Sequence, residues 1–260
     1  MTARSVVRKL MPGISSVKRW IANKGAKAPE SYSQAYEDVL IERIAGWFNI
    51  SISSYVDVGA YHPCELSNTY RFYLAGARGV VVDPNPQLQA LYRKYRADDL
   101  FLNAAIGAEQ SGRVTYFVID PDTLSGTDRA SAEQAQRFGH RLVAEIDVPV
   151  LALSSVIAQC SRSGVVDFLS VDVEGAEDKV LDSNDWGVFR PKIVCLETII
   201  YDPVSPRKKR WDLVEKMTSY GYVRVAETWI NSIFVSTECF GSARHLNELR
   251  INEAQDDSRL

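Results

Sequence analysis

The tightest constraint on how this chain folds is a pair of short apolar runs, each emptying into an acid or a glycine. Tyr55-Val56-Asp57-Val58-Gly59-Ala60-Tyr61-His62-Pro63 is followed by Val80-Val81-Val82-Asp83-Pro84-Asn85-Pro86. Runs of this kind are buried parallel strands, apolar throughout because helices cover both faces of the sheet. Between them, Ser67-Asn68-Thr69 opens a helix from Tyr70 to Ala75 that stops at Gly76. A strand, a glycine turn, a helix and a strand ending in an acid about 20 residues on hold a nucleotide-like ligand at the edge of a doubly wound α/β sheet. There Gly59 lets the ligand approach the backbone, and Asp83 accepts hydrogen bonds from two ribose hydroxyls. A lone glycine after a strand is ordinarily a turn, and a lone acid a cap. The spacing is what joins them into a site.

Later segments repeat the pattern. Gln87 to Arg96 is predicted as a helix with Pro86 in its first turn, and Leu100 to Gly107 as one further strand. Val114 to Ile119 has the β-branched and aromatic composition of a strand. Asp120 to His140 is rich in small and polar residues, which marks a long loop with one helix, a candidate lid or substrate loop. Val148 to Leu153 is expected as a strand, and Ser154 or Ser155 as the cap of a helix running to Cys160. Val165 to Glu177 carries a buried strand into Asp172, a turn through Gly175 and a helix, while Pro191 to Thr198 carries another strand into Glu197. Asp83, Asp172 and Glu197 are therefore expected along one sheet edge, where ligands of open α/β sheets bind. Trp211 to Tyr220 reads as a helix, and Tyr222 to Ala226 with Ile230 to Ser236 as an antiparallel closing hairpin.

Ahead of the first strand, Val39 to Phe48 places apolar residues at helical spacing, with Ser31 or Ser33 as N-cap and Glu37-Asp38 complementing the helix start. Gln34 is left without a structural task and is a candidate ligand contact. Residues 1–29 are basic, with Arg4, Arg8, Lys9, Lys18, Arg19, Lys24 and Lys27 and no acid before Glu30. They read as an extension to a ligand-binding domain over residues 30–240, either a docked helix or tail, or a peripheral contact with an anionic membrane face. Residues 241–260 read as a polar tail. A net charge of −3 argues against nucleic acid as a partner, and no run reaches the roughly 18 apolar residues of a spanning helix. Cys64, Cys160, Cys195 and Cys239 are scattered; Cys160 and Cys195 lie in apolar surroundings and read as buried thiols of a reducing compartment. The expected location is the cytoplasm, with the inner face of a membrane as a variant of it.

The chemistry narrows by what is missing. A nicotinamide enzyme would show Gly-x-Gly-x-x-Gly after its first strand, yet Ala60, Tyr61, His62 and Pro63 follow Gly59, and no Walker loop is present. A ligand with a ribose and no pyrophosphate suits a single glycine, and S-adenosylmethionine is such a ligand. Asp57-Val-Gly-Ala-Tyr-His-Pro63, Ser67-Asn-Thr-Tyr70, Val82-Asp-Pro-Asn-Pro86, Asn103-Ala-Ala-Ile-Gly107 and Leu169-Ser-Val-Asp-Val-Glu-Gly-Ala-Glu177 resemble the FkbM family of methyltransferases. Ser33-Gln34 with Glu37-Asp38 is similar to that family's leading segment, so the resemblance runs from about residue 31 to 236.

The resemblance implies a class I methyltransferase (Rossmann-like) fold, a doubly wound, mostly parallel seven-stranded sheet with an antiparallel closing hairpin. It implies methyl transfer from S-adenosylmethionine to an oxygen of a sugar, a glycan or a small secondary metabolite. By the same resemblance Asp57, Gly59 and Ala60 line the methionine end and Asp83 holds the ribose, with Gln34 and Tyr61 as further cofactor contacts. Asn103 and Ala104 then lie near the adenine, and Asp172 and Glu174 face the methyl and the acceptor. A hydroxyl is a poor nucleophile and needs a base, a metal, or both. His62 is a candidate base, since an imidazole titrates near neutrality; a His before Pro in a turn is as readily structural. Asp172, Glu174 and Glu197 are candidate magnesium ligands, against the alternative that Glu174 and Glu177 complement a helix dipole. Two other readings remain at this stage: a metal-dependent nucleotide-sugar transferase using Asp172-x-Glu174 as a diphosphate clamp, and a binding module without turnover.

Overall fold

The computed structural model describes residues 29–108, 112–161, 165–200 and 208–242. The basic segment expected over residues 1–29 and the expected tail over 241–260 lie almost wholly outside these residues. In chain order the elements are α1 (Glu37–Trp47), β1 (Ser54–Val58), α2 (Tyr70–Leu74), β2 (Arg78–Val82), α3 (Leu88–Tyr95) and β3 (Leu100–Leu102). Then come β4 (Ala105–Ile106), β5 (Arg113–Asp120), α4 (Arg129–Arg137), β6 (Arg141–Leu151), α5 (Leu153–Cys160) and β7 (Phe168–Val171). The last are α6 (Glu177–Asp182), β8 (Ile193–Glu197), β9 (Ile199–Ile200), β10 (Lys208–Lys209), α7 (Trp211–Ser219), β11 (Tyr222–Glu227) and β12 (Asn231–Ser236).

Seven strands form one sheet in the order β11-β12-β8-β7-β1-β2-β3. The last five of that order run parallel, and β12 pairs antiparallel with both β8 and β11, which is the doubly wound, mostly parallel sheet with a closing hairpin. Strand alternation sends Val56, Val58, Val80 and Val82 to one face, against Leu153, Val156 and Ile157 of α5 and Leu181 of α6. Tyr55 and Val81 go to the other face, against Ile41 and Ile44 of α1, Phe72 of α2 and Tyr92 of α3. Both faces are covered, which is why the strand sequences are apolar at nearly every position. Among the described residues no helix is long and apolar enough to cross a membrane.

Several expectations need correction. The single strand expected from Leu100 to Gly107 is two: β3 joins the main sheet, whereas β4 leaves it and pairs with β6. Asn103 makes the break, its side-chain amide donating to the carbonyls of Asp83 (3.0 Å) and Pro84 (2.9 Å). Strand β6 starts at Arg141, ahead of the expected Val148, and pairs antiparallel with β5 across the excursion that carries α4. Along its first half exposed and half-buried positions alternate, with Arg141, Glu145 and Asp147 on the exposed side, so little of it reads as core. Helix α1 is preceded by Tyr36 in a left-handed conformation (φ 66°), although the Ser33 hydroxyl does accept from the Asp38 N–H at 3.3 Å. Glu37 and Asp38 do more than complement a dipole: both are fully buried. Asp38 gathers the hydroxyls of Ser31 (2.6 Å) and Ser33 (3.0 Å) and the Tyr32 N–H (2.9 Å). Glu37 accepts from Thr228 (2.8 Å) and Asn231 (3.0 Å), tying the start of the helix to the closing hairpin.

Candidate functional site

A cleft opens where β1, β2 and β7 end. Gly59 leaves β1 with φ +76°, its N–H donating to the Val82 carbonyl at 2.9 Å. Asp83 follows β2 directly and is buried. Its carboxylate accepts the backbone N–H of Asn85 at 2.8 Å on one oxygen and that of Tyr61 at 3.0 Å on the other. Each oxygen keeps a lone pair for a ligand. Burial pushes this carboxyl up to about 6, with the two N–H bonds opposing the rise. Of the residues singled out from sequence, Gln34, Gly59, Tyr61, Asp83, Ala104, Asp172 and Glu174 line the cleft. The loop after β5 contributes Asp122, Thr123 and Ser125 to Thr127, and Leu66, Leu88, Ala105, Ile106 and Tyr116 are among the other walls.

The others stand elsewhere. Asp57 is buried against the face that α1, α2 and α3 cover, where it accepts the Thr69 hydroxyl. Ala60 is buried behind the turn, and its carbonyl accepts the Tyr92 hydroxyl at 3.0 Å. Asn103 spends its amide on the backbone clamp already described. His62, expected as a base, lies off the cleft lining; its Nδ1 accepts the N–H groups of Cys64 (3.3 Å) and Glu65 (3.1 Å), so the ring shapes the turn.

A second cavity adjoins the first. Glu174, Gly175, Glu197, Ile199, Ile200 and Arg210 line it, together with Leu124, Ser131, Gln134 and Ala135 from the β5–β6 excursion. The candidate lid or substrate loop read over Asp120 to His140 thus lines both cavities. Sequence reading missed Arg210, whose guanidinium is held by Asp212 (2.7 Å) and lies 4.0 Å from Glu177. It also missed Tyr116, which stands on a strand with nothing in its local sequence to mark it as ligand-facing.

Four carboxyls crowd the junction of these cavities: Asp172, Glu174, Glu177 and Glu197. Glu177 is buried at the start of α6 and accepts the N–H groups of Val173 (3.3 Å) and Gly175 (3.0 Å), which fixes the turn. Burial and the nearby Glu177 push Asp172 up to about 7, despite a hydrogen bond shared with Glu197. Burial likewise raises Glu174, Glu177 and Glu197. The expected magnesium set of Asp172, Glu174 and Glu197 is corrected accordingly: among the described residues no three His, Cys, Asp or Glu side chains are arranged to hold a metal ion.

These shifts carry a sign for stability. The folded chain binds more protons than the unfolded one from about pH 4 up to about pH 7, so stability falls as pH rises through that window. Thermal unfolding should show Tm falling between about pH 4 and about pH 7. Glu197→Gln should flatten this slope and raise Tm at the alkaline end; an unchanged slope would mean the cluster does not govern it.

Among the solved structures that resemble the chain are two at 10% identity and a TM-score of 0.40 each. One is Burkholderia thailandensis 1,6-didemethyltoxoflavin-N1-methyltransferase with bound 1,6-didemethyltoxoflavin and S-adenosylhomocysteine, matched over 89% of this chain and 86% of that one. The other is a TehB-like methyltransferase dependent on S-adenosylmethionine from Corynebacterium glutamicum, matched over 86% of this chain and 97% of that one. Likeness at that level says nothing of substrate. No curated protein sequence matches the chain. The model of the methyltransferase FkbM domain, however, matches residues 57–223, more than half of the chain and the whole stretch from Asp57 through Asp83, Asp172 and Glu197. The chain belongs to the FkbM family of methyltransferases, which depend on S-adenosylmethionine.

Proposed function

We propose that this chain transfers a methyl group from S-adenosylmethionine to a hydroxyl oxygen of a sugar, a glycan or a small secondary metabolite. The main cleft takes the donor and the second cavity takes the acceptor. Asp83 carries the reading: a buried carboxylate at the end of β2, aimed by two backbone N–H groups, with lone pairs left for two ribose hydroxyls. Ala104, Ala105, Ile106 and Leu88 offer an apolar slot for the adenine, while Gln34, Gly59 and Tyr61 border the methionine end. Asn103 acts by holding the Asp83-Pro84 backbone in place. Asp172 and Glu174 then stand beside the methyl carbon, with Glu174 reaching the acceptor side. Alignment of the hydroxyl with the methyl carbon supplies much of the rate, and a carboxylate in reach of the hydroxyl proton supplies the base. Family membership sets the nucleotide-sugar transferase aside.

Calorimetric titration with S-adenosylmethionine and S-adenosylhomocysteine, with and without magnesium, tests this. Saturable binding is expected, weakened at least about a hundredfold in Asp83→Ala, since two hydrogen bonds to a charged group are each worth about 1.5–3 kcal/mol. Binding unaffected by that substitution would displace the ribose from Asp83. A folded chain that binds neither compound would remove the donor assignment altogether.

A further inference from the structure

Among the described residues, Glu174 alone lines both cavities. Its backbone is left-handed (φ 55°), a conformation uncommon outside glycine and concentrated where function demands it. Among the described residues no donor reaches its carboxyl, and no cation pairs with it. The charged and titratable groups around it are Asp172 after β7, Glu177 of α6, Glu197 of β8, Tyr116 of β5, and Arg210, which faces Glu177 and Asp212. A carboxylate so placed lacks any local charge to balance it. Burial, with Asp172 and Glu177 beside it, pushes it well above the usual carboxylate range.

We propose that Glu174 is a base switched on by the charge of the donor: it gives up a proton as the sulfonium enters, and takes one back from the acceptor hydroxyl as the methyl leaves. This rests on the O-methyl transfer reading above. With the cleft empty, the protonated carboxyl avoids a further negative charge among the crowded carboxyls. A sulfonium in the cleft compensates the carboxylate, so the proton is released to solvent. In the transfer the acceptor oxygen forms its bond to the methyl carbon, and the sulfur keeps the electron pair of the broken C–S bond. The hydroxyl proton moves to Glu174 at the same stage. One positive and one negative charge become two neutral groups, and charge is conserved. The neutral thioether is then left without an opposite charge to hold it, and the next sulfonium resets the carboxyl.

The test needs no acceptor. Titrations at about pH 6.5, below the α-amino pKa, are run in two buffers of different ionisation enthalpy, so that the heat counts the protons exchanged. S-adenosylmethionine should release roughly one proton per molecule bound, and S-adenosylhomocysteine much less. Sinefungin, whose ammonium stands where the sulfonium methyl would be, should behave as S-adenosylmethionine does. The difference should vanish in Glu174→Gln and persist in Glu174→Asp. Equal proton release by the charged and neutral compounds would overturn the proposal, as would undiminished release in Glu174→Gln. Absence of binding by all three compounds would instead overturn the reading on which it rests.

Discussion

Replacing Arg96 by methionine should destabilise the fold by about 3–5 kcal/mol, the cost of breaking a buried ion pair and stranding its acid. Arg96 and Asp99 are each 0% exposed at the side chain and are joined at 2.7 Å. The guanidinium also donates to the Tyr55 hydroxyl (3.0 Å), the Thr69 hydroxyl (3.0 Å) and the Ser67 hydroxyl (3.3 Å), with the ring of Tyr92 5.3 Å away. Asp99 in turn accepts the Tyr55 hydroxyl and the Gly79 N–H. One cation therefore fastens α3, β1, β2 and the loop before α2, directly beneath the turn that leads into the cleft. Methionine fills much of the volume but leaves Asp99 charged and unpaired. Chemical denaturation should show the midpoint falling with an unchanged slope. Arg96→Lys should fall between, since an ammonium keeps the charge but cannot make the fork of contacts. Adding Asp99→Asn to Arg96→Met should cost less than the two separately, the sign of a shared interaction. Additive losses would mean the pair is only a neighbourhood.

That residue shows where sequence reading stops. Arginine is rarely fully buried, so at the end of a helix it reads as a solvated charge. Only the three-residue step from Arg96 to Asp99 hinted at a pair. The strand ends were different. Asp83, Asp172 and Glu197 could be placed at one edge because a buried parallel strand must finish before a charge is tolerable, and the fold puts all such ends on one side. Which of those acids faces the cleft is a matter of strand parity and loop path. Asp57 shows the same limit: it sits within β1, one residue before the strand's end, and parity turns it to the helical face opposite Val56 and Val58. Leu100 to Gly107 looked like one strand because the amide of Asn103, a long-range contact, is what divides it. The roles of Asp122 to Thr127 were legible only as a long excursion at the right place in the chain.

Gly59 is the residue whose meaning changes most between sequence and structure, and Gly59→Ala is expected to cost about 2–5 kcal/mol. Read as a motif, the glycine makes room for a ligand. In the fold, a Cβ at this position would lie 1.6 Å from the carbonyl oxygen of Asp172 and 2.7 Å from its carbon. The residue also holds φ +76°, which alone costs an L-residue about 1–2 kcal/mol. Relieving the overlap requires the chain leaving β7 to move, and overpacking of that kind costs about 1–3 kcal/mol more. The neighbour cannot yield cheaply, because the Asp172 N–H is bonded to the Val58 carbonyl at 3.0 Å. The glycine is therefore what lets β1 and β7 end close enough together for Asp172 to line the cleft at all. Stability and donor affinity should fall together in Gly59→Ala, as a lower denaturation midpoint and a weaker calorimetric titration. If the glycine served only the ligand, the variant would fold with wild-type stability and lose binding alone. That pair of measurements separates the two roles.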